Sequence, residues 1–173
     1  MDFCGNEAAH SLLHRLDEFP NVAILRTFSK SFGLAGLRLG FGVMPAELAS
    51  AIKRVRLPFS INILAEIAAT AALEDTAFRE LTLETVARGR ETLSAGLREL
   101  GFVVRPSQAN FLLVTPPYPA ADLVEDLLRK GIIIRWLKSY AMPEYARISI
   151  GNGEENRMLL ETVASLLQHR RLK

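Results

Sequence analysis

The sequence predicts an α/β chain in two parts: residues 1–57 close a larger parallel-sheet domain, and residues 58–173 form a linker helix and a small α+β unit. Three observations lead there. Residues 1–57 hold only two short apolar runs of strand character, at 22–25 and 39–43, too few to close a sheet core of their own. Pro58-Phe59-Ser60 breaks the composition and marks a hinge. Beyond it, about four short apolar runs alternate with segments of helical period, the pattern of a sheet with helices on one face.

Residues 6–17 place Ala8, Leu12, Leu13 and Leu16 at helical spacing, so a short amphipathic helix is expected there. Pro20-Asn21 ends it before the strand at 22–25. A second strand follows at 39–43, and Pro45 opens a helix to about Val55, because proline is tolerated in a first turn. An alanine-rich helix is expected over 62–73. Asp75 caps a longer one that runs to about Leu100 and stops at Gly101. Residues 102–104 and 109–114 read as a strand pair, 120–129 as a helix halted by Lys130-Gly131, 132–135 and 146–150 as further strands, and 154–168 as a last helix.

A hydrophobic fraction of 49% with 23% charged residues supports a packed core and is too apolar for disorder. The formal charge of +2 is too small to argue for nucleic acid. Arg170, Arg171 and Lys173 read as a solvated helix end that complements the helix dipole. Cys4 is the only cysteine, which excludes an internal disulfide and fits a reducing compartment. No apolar stretch approaches the roughly 20 residues that span a bilayer, and no basic-then-apolar leader opens the chain. A cytoplasmic location without membrane contact is expected. His10 and His14 have a spacing that can hold a metal on a helix, but no third ligand is near in sequence, so no metal site is expected.

Chemistry gathers in Thr27-Phe28-Ser29-Lys30-Ser31-Phe32-Gly33-Leu34-Ala35-Gly36-Leu37-Arg38-Leu39-Gly40. A primary amine at the end of a buried strand, set among hydroxyls and followed by an arginine, suits a carbonyl cofactor that also carries a phosphate. The amine can form a Schiff base, and the hydroxyls and the guanidinium can hold the phosphate. Lysine reacts only as the neutral amine, and burial or a neighbouring cation lowers its ordinary pKa of about 10.4 toward that form.

Residues 27–40 resemble the cofactor-lysine segment of the fold-type I pyridoxal-phosphate aminotransferases. They are most similar to the histidinol-phosphate aminotransferase group, which reads T-x-S-K-x-F-x-L-A-G-L-R-x-G. Further stretches agree in order. Pro58-Phe59-Ser60-Ile61-Asn62 resembles P-F/Y-N-V-N, Ser107-Gln108-Ala109-Asn110-Phe111 resembles S-x-A-N-F, and Gly131-Ile132-Ile133-Ile134-Arg135 resembles G-I-x-V-R. Arg147-Ile148-Ser149-Ile150-Gly151 with Glu154-Glu155-Asn156 resembles R-I-S-I-G-x-x-E-E-N.

The resemblance implies a set of roles. Lys30 would bind pyridoxal 5'-phosphate covalently and then shuttle the substrate proton. Ser29 and Arg38, with Thr27 beside them, would hold the cofactor phosphate. Arg147 and Arg135 would take an anionic end of the substrate, and Asn110 a further substrate contact. The partners would be an amino donor and a 2-oxo acid acceptor, namely histidinol phosphate and 2-oxoglutarate in histidine biosynthesis, in a homodimer. Residues 1–57 would end the large cofactor-binding domain and 58–173 would be the linker helix and small C-terminal domain.

Departures from the family pattern bear on activity. Members carry a D-E-A-Y segment whose aspartate meets the pyridine nitrogen. Met1-Asp2-Phe3-Cys4 resembles the residues just C-terminal to that segment, and Asp2 falls too late to replace the aspartate. Ser60 stands where an asparagine is usual. The chain is therefore expected to be the C-terminal half of such an enzyme and inactive alone. The alternatives are a phosphothreonine decarboxylase of corrinoid synthesis on the same fold, and a non-catalytic truncated or regulatory module.

Overall fold

The computed structural model describes residues 2–171, with the side chains of Glu7 and Arg171 outside that description. The chain divides into two compact units after Leu83. That division falls inside a long helix, whereas Pro58-Phe59 is a turn between two shorter ones.

The N-terminal unit begins with α1 (Glu7–His10) and a 3-10 helix (Leu13–Glu18) in place of one helix over 6–17. The Ser11 hydroxyl accepts the Leu13 N–H at 3.1 Å, so a side chain takes a donor that the helix ladder needs. His10 and His14 consequently lie in separate turns, and the helical spacing argument for them lapses. β1 (Ile24–Thr27) and β2 (Gly40–Val43) follow, paired antiparallel with Thr27 opposite Gly40. They approach closely: a Cβ on Gly40 would lie 2.6 Å from the Arg26 carbonyl oxygen, so only glycine fits.

Next come α2 (Ala46–Val55), which starts after Pro45, and α3 (Ile63–Glu74). The Asn62 side chain caps α3 by accepting the Ala65 N–H at 2.8 Å. Asp75 does the same for α4 (Thr76–Glu99), accepting from Phe78 N–H at 2.9 Å. Lys53, Arg54 and Arg56 are exposed, as a wet helix face should be.

The C-terminal unit is a sheet of β3 (Val103–Val104), β4 (Phe111–Thr115), β5 (Arg135–Trp136) and β6 (Ala146–Ser149), in the order β3-β4-β6-β5 with every pair antiparallel. α5 (Ala120–Arg129) and α6 (Gly153–Arg171) complete it. Alternation along the strands sends Val104, Leu112, Val114, Ala146 and Ile148 to one face, where they meet Leu93 and Leu97 of α4, Leu123 and Leu127 of α5, and Leu159 and Val163 of α6. The expectation of four strands covered on one face holds.

Two helices end in the same way, and each ending delivers the chain to the sheet. Gly101 (φ +86°) and Gly131 (φ +78°) adopt the left-handed conformation. Phe102 N–H then reaches back to Leu97 O, and Ile132 N–H to Leu127 O. The second closure explains why the strand expected over 132–135 shortens to Arg135–Trp136, because the Ile132 donor is already used by the helix end.

α6 starts from a reciprocal cap. Asn152 Oδ1 accepts from the N–H groups of Glu154 and Glu155, while Glu155 Oε2 accepts the Asn152 N–H at 2.8 Å. Asn156 is buried and bonds both the N–H and the C=O of Gly151. Arg170, read from sequence as part of a solvated helix end, is exposed, and it also donates to Asp126 at 2.8 Å and lies 4.1 Å over the Tyr118 ring. Lys173 lies outside the described residues. Among those residues no helix is long and apolar enough to cross a membrane.

Candidate functional site

The antiparallel ladder puts Lys30 and Arg38 on the two limbs of one loop. The chain leaves β1 at Thr27 and re-enters β2 at Gly40, which pair in register, and Phe28 N–H bonds to Leu39 O at 3.1 Å. Residues 28–39 are therefore a loop closed at its base, with Ser29-Lys30 on the outgoing limb and Arg38 on the returning one. The Thr27 hydroxyl accepts the Ser29 N–H at 3.0 Å, and Gly33 N–H closes a tight turn onto Lys30 O with Gly33 at φ +70°.

Lys30 is exposed, while its neighbours Phe28 and Ser31 are buried. The expected burial of the amine is thus not supplied by the described residues, because the loop turns the flanking side chains inward and leaves the amine outside. Arg38 occupies the left-handed region at φ +54°, and its Nη1 donates to Ala35 O at 2.8 Å. A non-glycine residue in that region costs energy, and such strain collects at ligand sites. Neither Lys30 nor Arg38 pairs with a carboxylate among the described residues. Amine, hydroxyls and guanidinium at one end of one ladder form a donor set that fits a phosphorylated aldehyde.

Asp2 belongs to the foundation of this loop. Its carboxylate accepts from the Ser31 hydroxyl and pairs with Arg26. Burial alone would raise its pKa, but the Ser31 hydrogen bond and the Arg26 charge together hold it below the ordinary value of 3.8.

In the C-terminal unit the sheet face turned away from the helices carries a second group. Arg135 and Arg147 are directly opposite each other across β5 and β6, on one face. Like charges in that relation repel. No carboxylate or hydrogen bond engages either guanidinium among the described residues. Each instead lies over a ring: Arg147 Cζ is 5.4 Å from the Phe111 centroid and Arg135 Cζ 5.3 Å from that of Tyr140. Asn110 immediately precedes β4, is half-buried, and accepts the Ile150 N–H through its carbonyl at 3.0 Å.

The residues singled out from sequence thus form two groups: Thr27, Ser29, Lys30 and Arg38 in the N-terminal unit, and Asn110, Arg135 and Arg147 in the C-terminal one. Phe111 and Tyr140 were not among them. Phe111 stood inside a quoted motif without a role, and Tyr140 gave no local signal.

Comparison with known proteins gives the family and the fold. The family "Aminotransferase class I and II" matches residues 1–163. A histidinol-phosphate aminotransferase of Nitratidesulfovibrio vulgaris is 62% identical over 169 residues, which is 98% of this chain and 45% of that protein. The crystal structure of the histidinol-phosphate aminotransferase from Clostridium acetobutylicum superposes with a TM-score of 0.90 at 26% identity, over 97% of this chain and 52% of that one. The enzyme of the same name from Sinorhizobium meliloti, solved with pyridoxal-5'-phosphate, gives 0.84 at 28% identity, over 95% and 47%. The chain spans about half the length of the relatives it matches.

Proposed function

The chain belongs to the class I and II aminotransferases, and on that premise we propose that it supplies the lysine loop and small domain of a pyridoxal-phosphate-dependent histidinol-phosphate aminotransferase. The observation that carries the substrate class is the Arg135–Arg147 pair, two opposed guanidinia with no protein counter-ion among the described residues, a natural seat for a phosphate ester. The reaction is transfer of the amino group of histidinol phosphate to 2-oxoglutarate, in a cytoplasmic homodimer. Residues 1–57 serve the cofactor domain and 58–173 the linker and small domain.

Lys30 holds the cofactor through Nζ, and Ser29 and Arg38 hold its phosphate, with Thr27 fixing the Ser29 backbone. When bound, pyridoxal phosphate supplies an electron sink for charge developing at the substrate Cα. The Lys30 amine, once free, would take the proton from the substrate Cα and deliver it to the C4′ carbon of the cofactor, which is general acid–base work by a positioned side chain. Arg147 and Arg135 grip the substrate phosphate by bidentate hydrogen bonds, and Asn110 borders the substrate.

A chimera tests this, with residues 1–173 replacing the matching part of the Nitratidesulfovibrio vulgaris enzyme. It should form glutamate from histidinol phosphate and 2-oxoglutarate, and borohydride reduction should leave the pyridoxyl group on Lys30. Lys30→Ala should abolish turnover with the fold retained. Arg147→Ala should raise KM about tenfold or more with a smaller change in kcat. Recovery of the label on another residue ends the Lys30 assignment, and carbon dioxide release from phosphothreonine would favour the decarboxylase instead.

A further inference from the structure

Arg135 and Arg147 share an arrangement that the other ring-contacting arginines of this unit lack. Arg170 also lies over a ring, Tyr118, but its in-plane N–H groups are taken by Asp122 and Asp126. Arg105 lies over Tyr145 and donates to that same tyrosine's hydroxyl at 2.9 Å. Those two are closed contacts. Over Phe111 and Tyr140, by contrast, Arg147 and Arg135 have only ring contacts among the described residues.

The difference is chemical. A guanidinium carries five N–H donors, and the attraction of its charge to a ring 5.3–5.4 Å away steadies the group without a carboxylate or hydroxyl accepting from those donors. A carboxylate would steady it equally well but would occupy the edge that an anion needs. Two opposed guanidinia also repel, and without support each side chain would swing apart into solvent. The supports are built into the backbone. Phe111 sits opposite Ser149, one pleat along the β4–β6 ladder from the Leu113–Arg147 pair, and so on the Arg147 face. Tyr140 ends the 3-10 helix Lys138–Tyr140, which is closed by Ala141 in the left-handed conformation.

We infer that Phe111 and Tyr140 are positioning residues that hold the Arg147 and Arg135 side chains ready for a phosphate without spending their hydrogen-bond donors. This rests on the reading of that pair as the anion site.

The 173-residue chain itself serves for the test, with inorganic phosphate as the probe and the arginine Nε–Hε resonances as the readout. The Arg135 and Arg147 signals should shift saturably. Phe111→Leu and Tyr140→Leu should each raise the dissociation constant about threefold to fivefold, while Phe111→Tyr and Tyr140→Phe, which keep a ring, should restore it. Arg147→Ala separates the two ideas. If it removes binding and the ring variants bind as well as the parent, the positioning role is overturned alone. If it leaves binding intact, the anion-site reading falls and the positioning role with it. Should Phe111→Leu fail to fold, the exposed Tyr140 pair of variants decides the matter.

Discussion

In the C-terminal unit Leu93, Leu97, Leu123 and Leu127 are wholly enclosed between helices and sheet, whereas the N-terminal unit leaves Leu25, Val55, Leu57 and Phe59 in solvent, Phe59 at 97% exposure. Both units are rich in apolar residues, so composition does not explain the contrast. Layering does. A four-stranded sheet with helices laid on one face encloses its inward side chains, but a two-stranded ladder with short helices has no second layer to close over it. Burial drives folding in proportion to the apolar area removed from water. The C-terminal unit therefore buries a continuous apolar core, and Arg135 and Arg147 stand on the sheet that forms one wall of it. The N-terminal unit holds the lysine loop by the buried Phe28, packed against Phe32 and Phe41, together with a few specific polar contacts.

The largest effect should come from cutting into the enclosed core. Leu123→Ala removes a fully buried side chain between α5 and the sheet and should cost about 3 kcal/mol by urea unfolding. The matched change in the other unit, Phe59→Ala, should cost less than about 0.5 kcal/mol. Equal losses would break the contrast between the units.

A smaller effect tests whether polar contacts hold the lysine loop. Asp2→Asn removes the carboxylate that Arg26 and Ser31 share and should cost about 2 kcal/mol at neutral pH. The sign of its pH dependence comes from the depressed pKa. The folded carboxylate is harder to protonate than the unfolded one, so its contribution is complete above the ordinary value of 3.8 and is lost as pH falls through the lower folded pKa. Thermal melts of the parent should lose more stability below that pH than those of the variant. Parallel curves would remove Asp2 from the account.

How much of this was legible beforehand depends on the range of the interaction. Helix limits were readable where neighbouring residues set them: Asp75 as a cap, Gly101 as a stop, and 120–129 as a helix with those bounds. The lysine loop was readable because its chemistry is contiguous. Less legible was whatever required one atom to choose between partners. Ser11 took a backbone donor and broke a helix, and Ile132 gave its N–H to a helix end and shortened a strand. Arg170 found carboxylates in α5 that no local pattern announces. Arg135 and Arg147 were both named as anion ligands, but their direct opposition across two strands is a fact of register, and so is the ring beneath Arg147.

Caps offer a third comparison, because each unit starts a helix from an asparagine. Asn152 accepts two N–H groups and is answered by Glu155. Asn62 accepts one side-chain bond, at a helix whose apolar residues are largely exposed. Asn152→Ala should therefore cost about 1–2 kcal/mol and Asn62→Ala about 0.5 kcal/mol. A reversed order in chemical denaturation would show that the caps act independently of the packing around them.

The smallest effect has the opposite sign. Ala141 closes the 3-10 helix beneath Arg135 at φ +56°, where a Cβ crowds the backbone and glycine does not. Ala141→Gly relieves that strain but adds freedom to the unfolded chain, so the net gain should be only about 0.5 kcal/mol. The change leaves every side chain of the anion group in place. Stability should rise slightly in urea titration while phosphate affinity at Arg135 and Arg147 stays within about twofold. If affinity instead falls along with the gain in stability, the strained alanine itself sets the Tyr140 ring, and the support for Arg135 depends on backbone stiffness as well as on the ring.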